Sequence, residues 1–197
     1  MIAGIVPCSG SSTRMGEPKA LMEVAGKTFL QRVVDILLDG GCSQVFVVVP
    51  HDLEIENEAR STHAMVLVNA DPGEGPITSL RLALQQLNSK VEGILYLPVD
   101  HPLVQVDTIN KLVRIATESE SPLVIPTYLG NRGHPSFFRA SLFEELNDFE
   151  LEGGARTVVH RHLANASLIP VNDPGVMADI DTPESYESAL AQFSEPL

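Results

Sequence analysis

The sequence predicts an α/β protein: a single three-layer α/β/α domain over residues 1–197, built on a mostly parallel sheet. Three observations carry that reading. Short apolar runs alternate with amphipathic stretches almost from end to end, as strands alternating with helices do. The runs are apolar throughout, whereas strands with one wet face alternate polar and apolar residues. The connections are short, and no internal repeat, low-complexity tract or linker divides the chain. Ligands of such sheets bind beyond the carboxyl ends of the strands, so the loops there are where chemistry is expected.

Ile2–Val6 is the first buried run, and a long loop from Pro7 to Lys19 follows it. From Thr28 onward Phe29, Leu30, Val33, Val34, Leu37 and Leu38 recur at helical spacing until Gly40-Gly41 stops the helix. Val45–Val49 is a β-branched strand ended by Pro50, Asp52–Ser61 a polar helix and Ala64–Val68 a third strand. Pro76 suits the first turn of a helix with Leu80, Leu84 and Leu87 on one face. Gly93–Leu97 is a fourth strand, and Asp107 is placed to cap a helix holding Ile109, Leu112, Val113 and Ala116. Pro122–Pro126 is a fifth strand, and Gly130-Asn131-Arg132-Gly133 marks a turn before Ser136–Phe138. The remainder predicts helices near Ser141–Asp148, Ala155–Leu163 and Pro183–Phe193, with a short strand at Ser167–Val171.

The hydrophobic fraction of 44% and charged fraction of 20% are ordinary for a soluble globular chain. A formal net charge of −13 repels nucleic acid and anionic membranes, so neither is an expected partner. The same acidity opposes a nucleotide, so a nucleotide site has to gather its few cations in one place or recruit metal ions. Cys8 and Cys42 make neither a disulfide framework nor a metal cluster, and read as free thiols of a reducing cytoplasm. The apolar start, Met1–Val6, lacks the basic segment of a signal peptide, and no run approaches the ~20 apolar residues of a membrane span. A soluble, cytoplasmic protein is expected.

Four segments carry candidate chemistry. Pro7-Cys8-Ser9-Gly10-Ser11-Ser12-Thr13-Arg14-Met15-Gly16-Glu17-Pro18-Lys19 follows the first strand, and its small residues let backbone N–H groups approach an anion. Arg14 offers a fork for phosphate oxygens and Lys19 a point charge, although an ordinary connection with a surface Arg and Lys reads the same way. The loop matches neither the dinucleotide fingerprint nor the P-loop. Asp100, just past the Gly93–Leu97 run, has the carboxylate that Mg2+ requires, and equally suits a turn before Pro102. Asp179 and Asp181 fall on one side of an extended segment ahead of Thr182-Pro183, itself a helix start. Gly75, Thr78 and Ser79 open a helix whose N-terminus suits a base, ribose or phosphate, or is simply capped.

Gly10-x-Ser12-x-Arg14-Met15-Gly16-x-x-Lys19 resembles the signature loop of the nucleotidyltransferases with a Rossmann-like, nucleotide-diphospho-sugar transferase fold. Within them the chain is most similar to the molybdenum cofactor cytidylyltransferases and their relatives. Pro7-Cys8-Ser9-Gly10 stands where that family carries Leu-Ala-Ala-Gly, which keeps Cys8 and Ser9 small. The resemblance implies that Arg14 holds the triphosphate tail and Lys19 the α-phosphate region, with Asp100 as the metal-binding residue. Asp179-Ile180-Asp181-Thr182-Pro183-Glu184 resembles the family's terminal motif, which makes Asp181 the second metal ligand and leaves Asp179 an outer group. By the same resemblance Cys8, Ser9, Gly10, Ser12, Gly75, Thr78 and Ser79 contact the nucleotide. Gly133-His134-Pro135 and Arg156 meet the acceptor; on their own, the former would pass for a hairpin turn and the latter for a surface residue. His101 reads as a loop residue rather than a ligand.

These matches run in order from Ile2 to Tyr186. They imply a Mg2+- or Mn2+-dependent transfer of CMP from CTP to molybdopterin with release of pyrophosphate, ahead of an enzyme that accepts the finished cofactor. Two other functions remain open: transfer to a different acceptor, such as a sugar or polyol phosphate, or from GTP, and a non-catalytic nucleotide-binding chaperone. The resemblance implies CTP over GTP by roughly tenfold or more, because Ser9 fills space that the guanylyl branch leaves open with Gly and Gly133-His134-Pro135 resembles the cytidylyl branch. Gly75-Pro76 pulls towards the guanylyl branch.

Overall fold

Strands packed from both sides of a sheet are apolar along their length, and the central strands follow that pattern: residues 2–7, 45–49 and 93–96 are buried at every position, whereas the edge strand Ser167–Pro170 alternates. The computed structural model describes residues 1–8, 16–71 and 75–194. In chain order, β1 (Ile2–Pro7) precedes a small hairpin of β2 (Glu23–Val24) and β3 (Lys27–Thr28), then α1 (Phe29–Asp39), β4 (Gln44–Pro50), α2 (Leu53–Ser61) and β5 (Met65–Asn69). Next come α3 (Pro76–Leu84), β6 (Gly93–Tyr96), α4 (Val106–Glu118), β7 (Leu123–Tyr128), β8 (Asn131–Arg132) and β9 (Ser136–Arg139). The series ends with α5 (Phe143–Asn147), α6 (Ala155–His162), β10 (Ser167–Pro170) and α7 (Pro183–Ser194).

Among the described residues the main sheet runs β10-β7-β9-β6-β1-β4-β5, with β8 paired to β7. β1 pairs in parallel with both β4 and β6, so Ile5 lies opposite Phe46 on one side and Tyr96 on the other. β9 is antiparallel to β6 and β7, which makes the sheet mostly rather than wholly parallel. Alternate residues feed two cores. Val6, Val45, Val47, Val49, Leu95 and Leu97 face the side covered by α1, α2, α4 and α7. Ile5, Phe46, Val48, Ile94 and Tyr96 face α3, α5 and α6. The three-layer α/β/α architecture expected from the sequence is therefore present.

Local signals set most boundaries. Thr28 caps α1 through a reciprocal pair: its hydroxyl accepts from the Gln31 amide, and the Gln31 side chain accepts from the Thr28 amide. Two expectations are corrected. Asp107 does not cap α4 but sits exposed in its first turn, after Gln105 at the cap. The buried carboxylate of Asp173 satisfies the helix start instead, accepting from the Gln105 amide at 2.9 Å and the Thr108 hydroxyl at 2.7 Å. The helix expected over Ser141–Asp148 divides into a 3-10 turn, Ala140–Leu142, and the short α5.

Candidate active site

The carboxyl ends of β1 and β6 open into a cleft of about 800 Å³ lined by Cys8, Lys19, Asp100, His101, His134 and Asp179, among others. Each functional side chain is brought there by a backbone contact. Lys19 opens a 3-10 turn, Lys19–Leu21, closed by the Met22 amide on its carbonyl. The hairpin after that turn is braced by the Tyr186 hydroxyl of α7, which donates to the Glu23 carbonyl at 2.7 Å. Asp100 is carried past the strand end because the Leu97 and Val99 amides continue to bond Ile5 and Pro7. The Ile180 amide then donates to the Asp100 carbonyl at 2.9 Å, docking the C-terminal segment beside it.

The Lys19 ammonium donates to Asp100 Oδ2 at 3.2 Å and to Asp181 Oδ1, so it joins two carboxylates 81 positions apart in sequence. The opposite oxygen of Asp100 meets His101 Nδ1 at 2.9 Å. Burial alone would raise the Asp100 carboxyl, but the His101 hydrogen bond and charge, together with Lys19, hold it down to about 2. Burial likewise works against the Lys19 charge, and Asp181 and Asp100 outweigh it, raising its pKa. The centre thus keeps an anionic carboxylate and a cation in partial burial at neutral pH. With a side-chain exposure of 16%, Lys19 is less accessible than a residue of a small-residue loop is expected to be.

A second chamber of about 960 Å³ adjoins the first, and Pro76, Tyr96, Pro98 and His134 line both. Its walls are mostly apolar, with Arg132, Arg156 and His160 among its lining residues. The His134 ring stands edge-to-face on His101 with centroids 4.7 Å apart. Burial, reinforced by the neighbouring His101, pushes the His134 imidazole down to about 4, so it is neutral at pH 7. Its Nδ1 is buried with no hydrogen-bond partner among the described residues.

The structure unites Cys8, Lys19 and Asp100 in the first cleft, with Asp181 tied to it through Lys19. Asp179, not Asp181, is the terminal carboxylate lining that cleft. Gly133, His134 and Arg156 line the second chamber, whereas Pro135 is buried behind a cis peptide bond with His134. Gly75, with φ +84°, is the cap residue of α3, next to the cleft-lining Pro76. The Thr78 and Ser79 hydroxyls accept from Asn69 at the end of β5, and Ser79 is fully buried. Ser9, Gly10, Ser12 and Arg14 lie outside the described residues. Cys8 and Cys42 are free and buried, and burial pushes the Cys8 thiol up and that of Cys42 up to about 12.

Sequence reasoning missed His101, which is buried against the Asp100 carboxylate, and the whole apolar lining of the second chamber. A histidine after an aspartate in a loop has no diagnostic spacing, so only the fold reveals the pair.

Among the described residues no group of three or more His, Cys, Asp and Glu is placed to hold a metal ion, and no helix is long and apolar enough to cross a membrane. The donors at the centre are two carboxylates. Mg2+ is commonly held in this way, by one or two carboxylates, several waters and the phosphates of a substrate.

The MobA-like NTP transferase domain matches residues 4–166, more than half of the chain. The protein belongs to that family. It is therefore a nucleotidyltransferase, and MobA-like nucleotidyltransferases use a divalent metal. A protein of Mycolicibacterium paratuberculosis named as a probable molybdenum cofactor guanylyltransferase is 30% identical over 199 residues, 97% of this chain and 95% of its own. The purine catabolism protein PucB of Bacillus subtilis is 26% identical over 206 residues, 98% of either chain. The crystal structure of Rv0371c from Mycobacterium tuberculosis superposes with a TM-score of 0.84 at 27% identity, covering 96% of this chain and 97% of that one. The family match ends before Asp181, so the place of that residue at the centre of this MobA-like transferase rests on its contact with Lys19.

Proposed function

We propose that this MobA-like transferase moves CMP from CTP onto the terminal phosphate of molybdopterin, with release of pyrophosphate. The observation that carries the reading is the shared wall between two cavities. One cavity gathers Cys8, Lys19 and Asp100, and the other presents Arg132 and Arg156 on an apolar lining large enough for a phosphorylated ring compound. The acceptor phosphate attacks the α-phosphorus, a new P–O–P linkage forms, the α–β linkage breaks, and the electron pair leaves on pyrophosphate. An ionised phosphate is already a nucleophile, so no general base is required.

Asp100 and Asp181 would hold Mg2+ or Mn2+ together with the triphosphate. A bound divalent ion supplies neutralisation of the charge on the phosphates. Lys19 would pass from the two carboxylates to the α-phosphate region, and Arg14 would hold the departing pyrophosphate. In this reading Cys8, Ser9, Gly10, Ser12, Gly75, Thr78 and Ser79 shape the nucleotide side, while Gly133, His134, Pro135 and Arg156 shape the acceptor side. The two free, buried thiols suit a reducing cytoplasm as the working place.

One observation favours GTP as the donor: a relative 30% identical over nearly the whole chain carries the guanylyltransferase name. Pyrophosphate release measured with each nucleoside triphosphate against molybdopterin decides between them. The expected result is turnover with CTP exceeding that with GTP by about tenfold. Equal or faster turnover with GTP overturns the base assignment alone. Release with a sugar or polyol phosphate but not with molybdopterin overturns the acceptor.

A further inference from the structure

The second chamber contains an aromatic side chain that the fold exposes deliberately. Phe149 is 81% exposed, yet its turn is held by contacts from both sides. The Leu151 amide closes the turn on the Asp148 carbonyl at 3.1 Å, the Asp148 carboxylate accepts from the Glu150 amide at 2.9 Å, and Leu151 is buried as an anchor. From the other side Arg81 of α3 reaches the same segment. Its Nε donates to the Leu146 carbonyl at 3.2 Å, another guanidinium nitrogen donates to the Asp148 carbonyl, and the guanidinium carbon sits 5.0 Å from the centre of the Phe149 ring.

Arg81 is only 5% exposed, and among the described residues it pairs with no carboxylate. Burying an unpaired charge is costly, and an apolar residue would fill the same space in α3 without that cost. What the guanidinium adds is geometry: two fixed donors to the main chain and a flat cation beneath one face of the ring. Phe149 itself is exposed and lines the chamber that also holds Arg156 and His134. An immobilised aromatic face and a guanidinium on one wall suit a ligand with a flat conjugated ring and a phosphate.

We infer that Phe149 is a specificity-determining residue that stacks on a planar conjugated ring of the acceptor, and that Arg81 is the positioning residue that holds it there. The inference rests on the second chamber being the acceptor side of the transferase. It adds the recognition element that separates ring-bearing phosphates from sugar phosphates, because a sugar has no conjugated face to stack.

The chain contains no tryptophan, so Phe149→Trp places a single fluorescent reporter at the proposed contact. The probes are a pterin phosphomonoester, the same pterin without phosphate, and glucose 1-phosphate. Saturable quenching by the pterin phosphate is expected, at least tenfold weaker by the bare pterin, and none by the sugar phosphate. Phe149→Ala, on an exposed residue that cannot unfold the core, is expected to raise KM for the pterin phosphate about tenfold, within the range of ring-on-aromatic stacking. The kcat and the nucleotide KM should stay unchanged, and Phe149→Tyr should restore the acceptor KM. Arg81→Met should reproduce the Phe149→Ala profile in its folded fraction, again with kcat unchanged. Quenching by glucose 1-phosphate equal to that by the pterin, no saturable quenching, or an unaltered acceptor KM in Phe149→Ala overturns the inference. Pyrophosphate release from the pterin phosphate with an unaltered KM sinks Phe149 and leaves the transferase reading standing. Saturable pterin binding that Phe149→Ala weakens, without pyrophosphate release from any nucleotide, sinks that reading and leaves Phe149 standing.

Discussion

Asp100 has its two oxygens committed in opposite directions, one to His101 and one to Lys19. That arrangement fixes its rotamer and keeps it ionised, as the proposed role of metal ligand requires. Asp100→Asn keeps the shape and one acceptor oxygen but removes the charge. Turnover is expected to fall by at least ~100-fold with melting within a few degrees of wild type. Near-normal turnover in the presence of Mg2+ would show that the metal ligand lies elsewhere. His134 gives the pH-dependent counterpart. Its folded pKa of about 4 lies below the ordinary value of 6.5, so the unfolded chain binds the extra proton first as pH falls. The contribution is fully present above 6.5 and is lost progressively between 6.5 and about 4, on the order of 3 kcal/mol in total. Thermal melts across that window should show a shallower loss in His134→Gln than in wild type; identical slopes would remove His134 as the cause.

The segment from Asp173 to Asp181 acts as a strap across the site. Asp173 accepts from the Gln105 and Gly175 amides and the Thr108 hydroxyl, fixing one end to the start of α4. The Val176 carbonyl accepts from the His134 amide, and the Ile180 amide donates to Asp100, so the same stretch touches both cavities. A Cβ on Gly133 would come within 2.2 Å of the Val176 carbonyl oxygen, which explains why only glycine fits beside the strap. Asp173→Ala leaves two amides and a hydroxyl without their acceptor and is expected to cost about 2–4 kcal/mol in denaturant unfolding. A loss below 1 kcal/mol would mean that water replaces the carboxylate. Thr28→Ala removes the reciprocal cap of α1 and should cost about 1 kcal/mol by the same measurement. The element-scale error over Asp107 has the same origin as the strap. A first-turn Asp is a common cap, but Asp173 reaches this helix start from 65 positions away and takes its place.

Across the whole molecule a net charge of −13 surrounds a centre that, in the proposed reading, receives a polyanion. Lys19, Arg132 and Arg156 are concentrated at the two cavities, and a divalent ion arriving with the nucleotide supplies the remaining positive charge in the proposed reading. Among the described residues no group of three or more His, Cys, Asp and Glu is placed to hold an ion, and the proposed ion is held by two carboxylates and the nucleotide. Chelation with EDTA is expected to abolish pyrophosphate release while leaving the melting temperature within about 2 °C, since a ligand stabilises only the state it occupies. A large fall in melting temperature on chelation would reveal a structural ion.

The sequence by itself determined the alternation of strands and helices, the two-sided burial of the sheet and the placement of Lys19 and Asp100 in loops at strand ends. Each leaves a local trace: a period of 2 or 3.6, a cap, or a position just after an apolar run. It left Asp179 and Asp181 as alternatives beside Asp100, and only the resemblance to the family's terminal motif favoured Asp181. The tertiary structure alone decided that His101 would brace Asp100, that Asp173 would take over the start of α4, and that Arg81 would grip the Phe149 turn. Arg81 and Asp148 are 67 positions apart. A contact between residues so far apart obeys no spacing rule, because it is set by how the layers stack rather than by the twist of one helix or the pleat of one strand.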